Sequence, residues 1–172
     1  MTAPSDPSTW KLPKLAIDRD GAWHAEEGEV THAGLLASLR ANLQVDAHGH
    51  FLQIGPARVP VDVEDTPFTV VRVELEGEAP SVILNDLSRE PLGLDTLVFG
   101  PGEIPYCRVR DGRFDARFSA AAAWQLLQRM EPDESSGAPV LVLPGQPRRA
   151  VPTVERARRP GRPSPASGAT PS

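Results

Sequence analysis

The chain has 172 residues, a single cysteine and a net charge of −5. One cysteine excludes an intrachain disulfide, the N-terminus lacks the apolar core of a secretory signal, and no apolar run approaches the ~20 residues of a membrane span. The charge is uneven, because residues 1–131 carry 12 basic and 20 acidic side chains whereas residues 132–172 carry six and three. We therefore expect a cytoplasmic protein with no membrane contact and no nucleic-acid surface on its acidic part.

Proline and glycine divide the chain into four predicted segments. Three prolines among the first 13 residues predict a flexible N-terminal arm at residues 1–14, followed by an N-terminal lobe of a hairpin, a helix and central strands at residues 15–100. The break at Gly100–Gly102 opens a C-terminal hairpin–helix lobe at residues 101–131. Nine prolines, together with serine, glycine, alanine and arginine, predict a disordered tail at residues 132–172.

The N-terminal lobe begins with a predicted β-hairpin and a helix. The strands Leu15–Asp18 and Ala22–Ala25 flank Asp20–Gly21, a dipeptide typical of tight hairpin turns. Thr31 can cap a helix over His32–Gln44 by accepting a hydrogen bond from its first turn. The apolar stripe predicted for this helix consists of Leu35, Leu36, Leu39 and Leu43.

The stretch Val59–Glu76 carries the clearest strand pattern in the sequence. Apolar and polar residues alternate on both sides of Glu64–Pro67, and this period of two indicates strands with one buried face. The residues predicted to face inward are Val59, Val61, Val63, Val71, Val73 and Leu75. Pro67 restricts the backbone and Asp65 can bond nearby N–H groups, so we predict a hairpin that turns at this point. Asp65 is then either a turn former or a carboxylate presented to a ligand at the corner of the sheet.

Shorter elements complete the predicted fold. The further strands are Phe51–Ile54, Ser81–Asn85, Thr96–Phe99, Ile104–Arg110 and Arg113–Phe118, with Val140–Leu143 as a short edge strand. Ser119 caps a second helix over Ala120–Met130. The apolar stripe predicted for this helix consists of Ala120, Ala123, Trp124, Leu127 and Met130. The predicted fold class is therefore α+β, a mostly antiparallel sheet with two helices.

Two parts of the chain share an order of elements. Leu15–Gln44 and Ile104–Met130 each contain a strand, an Asp-Gly turn, a second strand and a capped helix. The alternatives are a duplicated β-hairpin–helix motif and a chance likeness between two common hairpins. A duplication would make two similar lobes, and a cleft between lobes is a frequent ligand site.

Five pieces of the sequence carry a family resemblance. They are DGAWH at Asp20–His24, LLASLRANL at Leu35–Leu43, VEDTPF at Val63–Phe68, Asn85 after an apolar strand, and Pro105-Tyr106 before Val109-Arg110. Together they resemble the bacterial family known as domain of unknown function 1285 (DUF1285), over Leu15 to Met130. The chain departs from the family pattern at Asp86–Ser88 and at Asp111–Gly112. The resemblance implies a small α+β fold with repeated motifs, a ligand-sensing or signalling role, and no catalytic residues.

One predicted strand presents polar side chains on a single face. Tyr106, Arg108 and Arg110 alternate with apolar residues. With Asp65 and Asn85 they could line a pocket for a small polar or anionic ligand, because arginine offers a bidentate fork. The alternative is a solvated sheet face whose arginines pair with neighbouring carboxylates. We expect no cofactor, no metal ion and no catalytic residue at this site.

Other reactive residue types point to structural roles. Cys107 shares a strand face with Val109, which indicates a buried thiol rather than a nucleophile. A metal site needs three or four converging ligands. The candidate ligands are His24, His32, His48 and His50. In the tail, Arg158–Pro163 resembles a single AT-hook, but the acidic body favours a solubilising role over nucleic-acid binding.

The leading functional hypothesis is a non-catalytic protein that binds a small molecule or transmits a signal. The sequence contains no nucleotide-binding, metalloprotease or nucleophile-elbow motif. A first alternative is a protein–protein interaction module that captures a partner at a sheet edge or through the tail. A second alternative is a hydrolase-like enzyme using Asp65 or His24, which would require both side chains in one cleft.

Overall fold

The computed structural model describes residues 14–77 and 79–155, and these fall into two compact units, 14–64 and 65–155. The predicted N-terminal arm lies outside the described residues except for its last residue. The predicted division at residue 100 falls inside the second unit. No helix among the described residues has the length and apolarity that crossing a membrane requires.

A six-stranded sheet forms the first unit. Its elements are β1 (Leu15–Ile17), β2 (Trp23–Ala25), β3 (Gly28–Glu29), α1 (Ala33–Ala41), β4 (Leu43–Asp46), β5 (Gly49–Ile54) and β6 (Ala57–Val63). The strands lie in the order β3-β2-β1-β6-β5-β4, with β1 parallel to β6 and the other neighbours antiparallel. The buried apolar residues of this unit are Ile17, Trp23, Leu43, Leu52, Val59, Val61 and Val63.

Helix α1 differs from its prediction in length, capping and burial. The N-cap is His32 instead of Thr31, and its Nδ1 accepts a hydrogen bond of 3.1 Å from the backbone N–H of Leu35. No residue of the helix is buried. The chain already pairs as β4 from Leu43 onward, so this leucine is buried on a strand and the predicted stripe does not form one helix face.

The second unit contains a second six-stranded sheet, a helix and a three-stranded sheet. Its elements are β7 (Phe68–Glu74), β8 (Ser81–Leu84), β9 (Arg89–Pro91), β10 (Val98–Phe99), β11 (Pro105–Val109), β12 (Phe114–Phe118), α2 (Ala120–Leu127), β13 (Met130–Pro132), β14 (Pro139–Leu141) and β15 (Arg149–Ala150). The larger sheet has the order β10-β11-β12-β7-β8-β9, and β12 is parallel to β7. The remaining neighbours in this sheet are antiparallel.

The hairpin predicted across Val59–Glu76 is wrong. Both of its strands exist, but β6 and β7 belong to different sheets and do not pair with each other. Each has a parallel partner instead, β1 for β6 and β12 for β7. The alternation of valines identifies strands with a buried face, but it carries no information about which strand lies beside which.

Strand β7 contains a β-bulge that leaves Val71 exposed, against the prediction, while Val73 faces inward as predicted. Its register against β8 shifts between Val70 and Arg72. Phe68 and Val70 face inward before the shift, and Val73 does so after it. One extra residue in a strand moves the following side chains to the opposite face. Val71 is consequently 37% exposed, whereas Val73 is 4% exposed.

Helix α2 packs through a different face from the one predicted. Ser119 is its N-cap as predicted, since the Oγ accepts a 3.1 Å hydrogen bond from the N–H of Ala122. The buried residues are Ala122 and Leu126, while Trp124 is 64% exposed. A small alanine on the packing face lets the helix approach β7 closely, and the bulky tryptophan then lies on the outside.

The predicted α+β class is confirmed, but the predicted repeat is not. In the first unit, the first strand of the hairpin, β1, carries the parallel pairing. In the second unit it is the second strand of the hairpin, β12. Helix α1 has no buried residue, whereas α2 has two. The two hairpin–helix segments therefore differ in which strand forms the parallel pair and in whether the helix buries a residue.

Part of the predicted disordered tail is ordered. Strands β13, β14 and β15 form a sheet in which β14 is central, so the predicted edge strand is flanked on both sides. Asp133 begins the β13–β14 turn. Hydrogen bonds from Ser135 and Ser136 to its carboxylate lower the pKa of that group to about 2. Residues 156–172, with the AT-hook-like segment Arg158–Pro163, lie outside the described residues.

The bulge predicts unequal effects from two similar substitutions. Val73→Ala should lower the free energy of unfolding by about 2 kcal/mol, because it removes two buried methyl groups and leaves a cavity. Val71→Ala, the matched control on the exposed side, should lower it by less than about 1 kcal/mol. Urea unfolding followed by circular dichroism measures both. Equal losses would show that Val71 is as buried as Val73.

Candidate functional site

Asp65 is the centre of a polar cluster in the second unit, which we call the corner cluster. Its Oδ2 accepts a 2.7 Å hydrogen bond from the Tyr106 hydroxyl and lies 3.1 Å from Nη1 of Arg117. The side chains of Asp65 and Arg117 are 13% and 17% exposed, and Tyr106 is buried. Two of the predicted site residues, Asp65 and Tyr106, are therefore in direct contact, and Asp65 also pairs with Arg117, which was not predicted.

Strand register explains how this cluster forms. Tyr106 on β11 lies opposite Arg117 on β12, and Arg117 lies beside Thr69 on β7, so the three side chains share one face of the sheet. Asp65 is held above them by its neighbour Thr66. The buried Thr66 hydroxyl donates to the carbonyl of Phe68 at 2.7 Å and accepts from the N–H of Arg117 at 3.1 Å.

Arg110 belongs to a second cluster on the other face. Its φ of 55° ends strand β11, so its side chain does not continue the face of Tyr106 and Arg108 as predicted. The guanidinium lies 5.0 Å from the centre of the Phe68 ring and pairs with Asp86. Phe68 stands in register with Ala116 and hence on the opposite face from Arg117. The left-handed backbone at Arg110 therefore places this residue in a different cluster from Tyr106, and the residues of the predicted pocket do not lie together.

Glu90 on β9 completes this second cluster. Its Oε1 accepts a 2.8 Å hydrogen bond from the backbone N–H of Arg110, and its Oε2 lies 3.9 Å from the Arg110 guanidinium. Strands β9 and β11 are separated by three strands in the sheet order, so the sheet must curl for this contact to form. The curl brings the loops at residues 85–88 and 110–113 together, and we call them the loop pair.

The other two predicted site residues have local partners. The Asn85 Oδ1 accepts a 3.2 Å hydrogen bond from the backbone N–H of Thr69, which fixes the start of the loop pair. Arg108 is exposed, with its Nε 3.5 Å from Asp115 and its Nη1 donating to the carbonyl of Gly112 at 3.2 Å. The arginines of the predicted anion site are therefore paired with carboxylates.

Backbone strain concentrates in the loop pair. Among the described residues, four that are not glycine have a positive φ, and three of them lie in these loops: Leu87 at 68°, Arg110 at 55° and Asp111 at 57°. Such conformations cost about 1–3 kcal/mol each and cluster at functional sites. The Arg110–Asp86 ion pair joins the two strained loops.

Cys107 and His24 have the environments of structural residues. Burial, followed by the charges of Glu90 and Asp115, raises the pKa of the Cys107 thiol to about 12. The His24 Nε2 lies 2.7 Å from the Asp18 carboxylate. Burial opposes ionisation of Asp18, but hydrogen bonds from His24 and two backbone N–H groups outweigh it and lower the pKa of that carboxyl. Across residues 14–77 and 79–155, no three metal-ligating side chains converge.

The corner cluster should contribute to stability. Asp65→Asn should lower the free energy of unfolding by about 2–3 kcal/mol, because it leaves the largely buried Arg117 without a carboxylate. Asp62→Asn, on an exposed position of β6, is the matched control and should change it by less than about 0.5 kcal/mol. Urea unfolding measures both, and equal values would show that the corner cluster does not contribute to stability.

The buried thiol should be inert in the folded protein. At pH 8 a maleimide reagent should leave Cys107 unmodified, because both access and thiolate formation are suppressed. The same reagent should modify it fully in guanidinium chloride. Ala41→Cys, which adds an exposed thiol at the end of α1, should be labelled once in the folded state. Two labels per folded Ala41→Cys molecule, measured by mass spectrometry, would contradict the burial of Cys107.

Comparison with known proteins identifies the fold. No protein-family model and no curated protein matches the sequence. A DUF1285 family protein from Shewanella baltica OS155 superposes with a TM-score of 0.58 at 16% identity, covering 68% of this chain and 92% of that one. A DUF1285 family protein from Silicibacter pomeroyi DSS-3 superposes with a TM-score of 0.66 at 19% identity, covering 88% of each chain. The resemblance predicted from the sequence is confirmed in the backbone, and the chain has the fold of DUF1285 family proteins.

Proposed function

We propose that the protein is a non-catalytic binding protein that holds a small polar ligand at the loop pair of its second unit. The observation that carries the proposal is the strain at Leu87, Arg110 and Asp111 in two loops joined by one ion pair. Strained residues persist where the surrounding structure holds them in place, and they are a recurrent feature of ligand sites. A signalling role would use the occupied loop pair as its input.

The charge of the loop pair favours a ligand that donates hydrogen bonds. Asp86 and Glu90 face one guanidinium, that of Arg110, so the cluster carries one negative charge more than positive. The side chains of Asp86 and Glu90 are less than one-fifth exposed, which strengthens their attraction for a cationic or amide group. The Phe68 ring adds a flat apolar surface beside the arginine. An amine or an amide-bearing molecule fits this chemistry better than the anionic ligand predicted from the sequence.

The contacts of the candidate catalytic groups support a non-catalytic role. The Asp65 carboxylate bonds Tyr106 and Arg117, and His24 bonds Asp18, so each member of the hydrolase alternative already has a separate partner. The high pKa of Cys107 disfavours its thiolate. These contacts make binding the simpler interpretation.

A thermal-shift screen tests the ligand site. Putrescine, lysine and adenosine serve as hydrogen-bond donors, and succinate and phosphate serve as the anionic set. We expect at least one donor to raise the Tm by about 2 °C or more at saturation. Asp86→Asn should weaken that ligand about tenfold or more, because it removes a charge-assisted acceptor. Asp95→Asn, an exposed aspartate in the same unit, is the control and should leave the affinity unchanged.

Two results of this screen would contradict the loop pair. One is stabilisation by succinate or phosphate alone. The other is stabilisation by a donor that Asp86→Asn leaves unaltered. Glu90→Gln provides an independent variant of the same cluster, in case the neutral side chain at residue 86 disturbs the loop. The protein–protein interaction alternative is favoured by a different observation, the open edge of β7 beside α2.

A further inference from the structure

Half of strand β7 has no strand on one side. Its pairing with β12 ends at Val70, opposite Phe118, because the chain then leaves β12 for α2. The N–H of Ser119 donates the last bond, 2.8 Å, to the carbonyl of Val70. On its other side β7 remains paired with β8 as far as Glu74. Beyond Val70, no strand within the described part of the chain pairs with the β12 side of β7.

Helix α2 runs beside this open edge and leaves a groove of about 360 Å³. We call it the edge groove. Its lining comes from residues 72–76, at the end of β7 and just beyond it, and from Gln125, Gln128 and Arg129 of the helix side. Val73 and Leu75 are buried, so their side chains point into the core and the strand offers mainly its backbone to the groove. A row of backbone groups beside a helix is the surface that binds extended peptides by strand addition.

One hydrogen bond indicates what the edge would accept. The backbone N–H of Val73 donates to the side-chain Oε1 of Gln125 at 2.9 Å. In a sheet this N–H would donate to the carbonyl of the next strand. The glutamine amide carbonyl has the same chemistry as a peptide carbonyl, so Gln125 occupies the position of a missing strand. A long, flexible side chain can leave that position when a peptide arrives.

We infer that the edge groove binds an extended segment of a partner protein as an added strand, with an acidic residue opposite Arg72. The charge pattern selects this chemistry. Glu74 pairs with Arg89 at 2.7 Å, and Glu76 pairs with Arg129. The exposed Arg72 has no ion pair within residues 14–77 and 79–155. Opposite charges directly across a strand pair stabilise it, so an acidic side chain is favoured at that place.

A peptide fits this edge better than a small molecule or a second copy of the chain. On the β12 side, the open strand residues 71–74 extend over roughly 13 Å and repeat their donors and acceptors, which a compact molecule cannot match. Two copies joined through β7 would each bring a helix α2 against the same edge.

The test selects peptides from a random dodecapeptide library displayed on phage, using the full chain as bait. Enriched sequences should alternate apolar and polar residues and carry an acidic residue at one position. A synthetic peptide of an enriched sequence should shift the NMR signals of the backbone amides of residues 72–76. It should also protect these amides from hydrogen exchange. The same selection on Arg72→Glu should replace the acidic residue with lysine or arginine.

A matched pair of glutamine variants sharpens the result. Gln125→Ala should bind the peptide about two- to tenfold more tightly, because the peptide no longer displaces an intramolecular acceptor. In the free Gln125→Ala protein the Val73 amide should exchange faster, and peptide binding should protect it again. Gln53→Ala, which alters an exposed glutamine of the first unit outside the edge groove, should bind like the unaltered protein.

Three outcomes would overturn the inference. They are failure to enrich any peptide, amide shifts that lie outside residues 72–76 and 125–129, and self-association of the chain that Arg72→Glu abolishes. The edge groove shares no residue with the loop pair. Peptide binding and ligand binding therefore succeed or fail independently, and Asp86→Asn should leave peptide affinity unchanged.

Discussion

The buried hydroxyl of Thr66 determines how the second unit is arranged. It joins the start of β7 to β12 by donating to the Phe68 carbonyl and accepting from the Arg117 N–H. Thr66 is fully buried, so these bonds replace water and losing either would leave a polar group unsatisfied. They align β7 parallel to β12 and place Asp65 over Tyr106 and Arg117. The chain therefore runs from one sheet into another at the point where its sequence suggests a hairpin.

Strand β7 also links the two proposed binding surfaces. At its beginning, the Phe68 ring supports Arg110, the residue that joins the loop pair. Beyond the bulge at Val71, its edge faces α2 in place of a strand. The bulge and the end of β12 occur next to each other, since Val70 receives the last bond from Ser119. A single irregular strand thus supports a polar site at one end and leaves an open edge at the other.

The charge pairing in the structure differs from what the first interpretation of the polar residues, an anion site, requires. Arginines on a strand favour an anion only when their charges are uncompensated. Here Arg108, Arg110 and Arg117 each meet a carboxylate within the second unit. Two of those carboxylates, on Asp86 and Asp65, lie in loops that come together with their partners only after folding. The balance of charge at the loop pair is therefore a property of the tertiary structure.

The sequence by itself determined the α+β class, the Ser119 cap, the buried Cys107 and the positions of most strands, because each depends on local chemistry or on a period of two. It also indicates Arg117 as a neighbour of Tyr106, because a two-residue Asp-Gly turn places these residues opposite each other, although Arg117 was not among the predicted site residues. Only the tertiary structure decided which strands are neighbours, which face of each helix is buried, and that residues 132–155 are ordered. The physical reason is that a pattern of apolar residues shows that one face of an element will be buried. Strand pairing, a one-residue bulge and a left-handed residue then decide which other part of the chain covers that face.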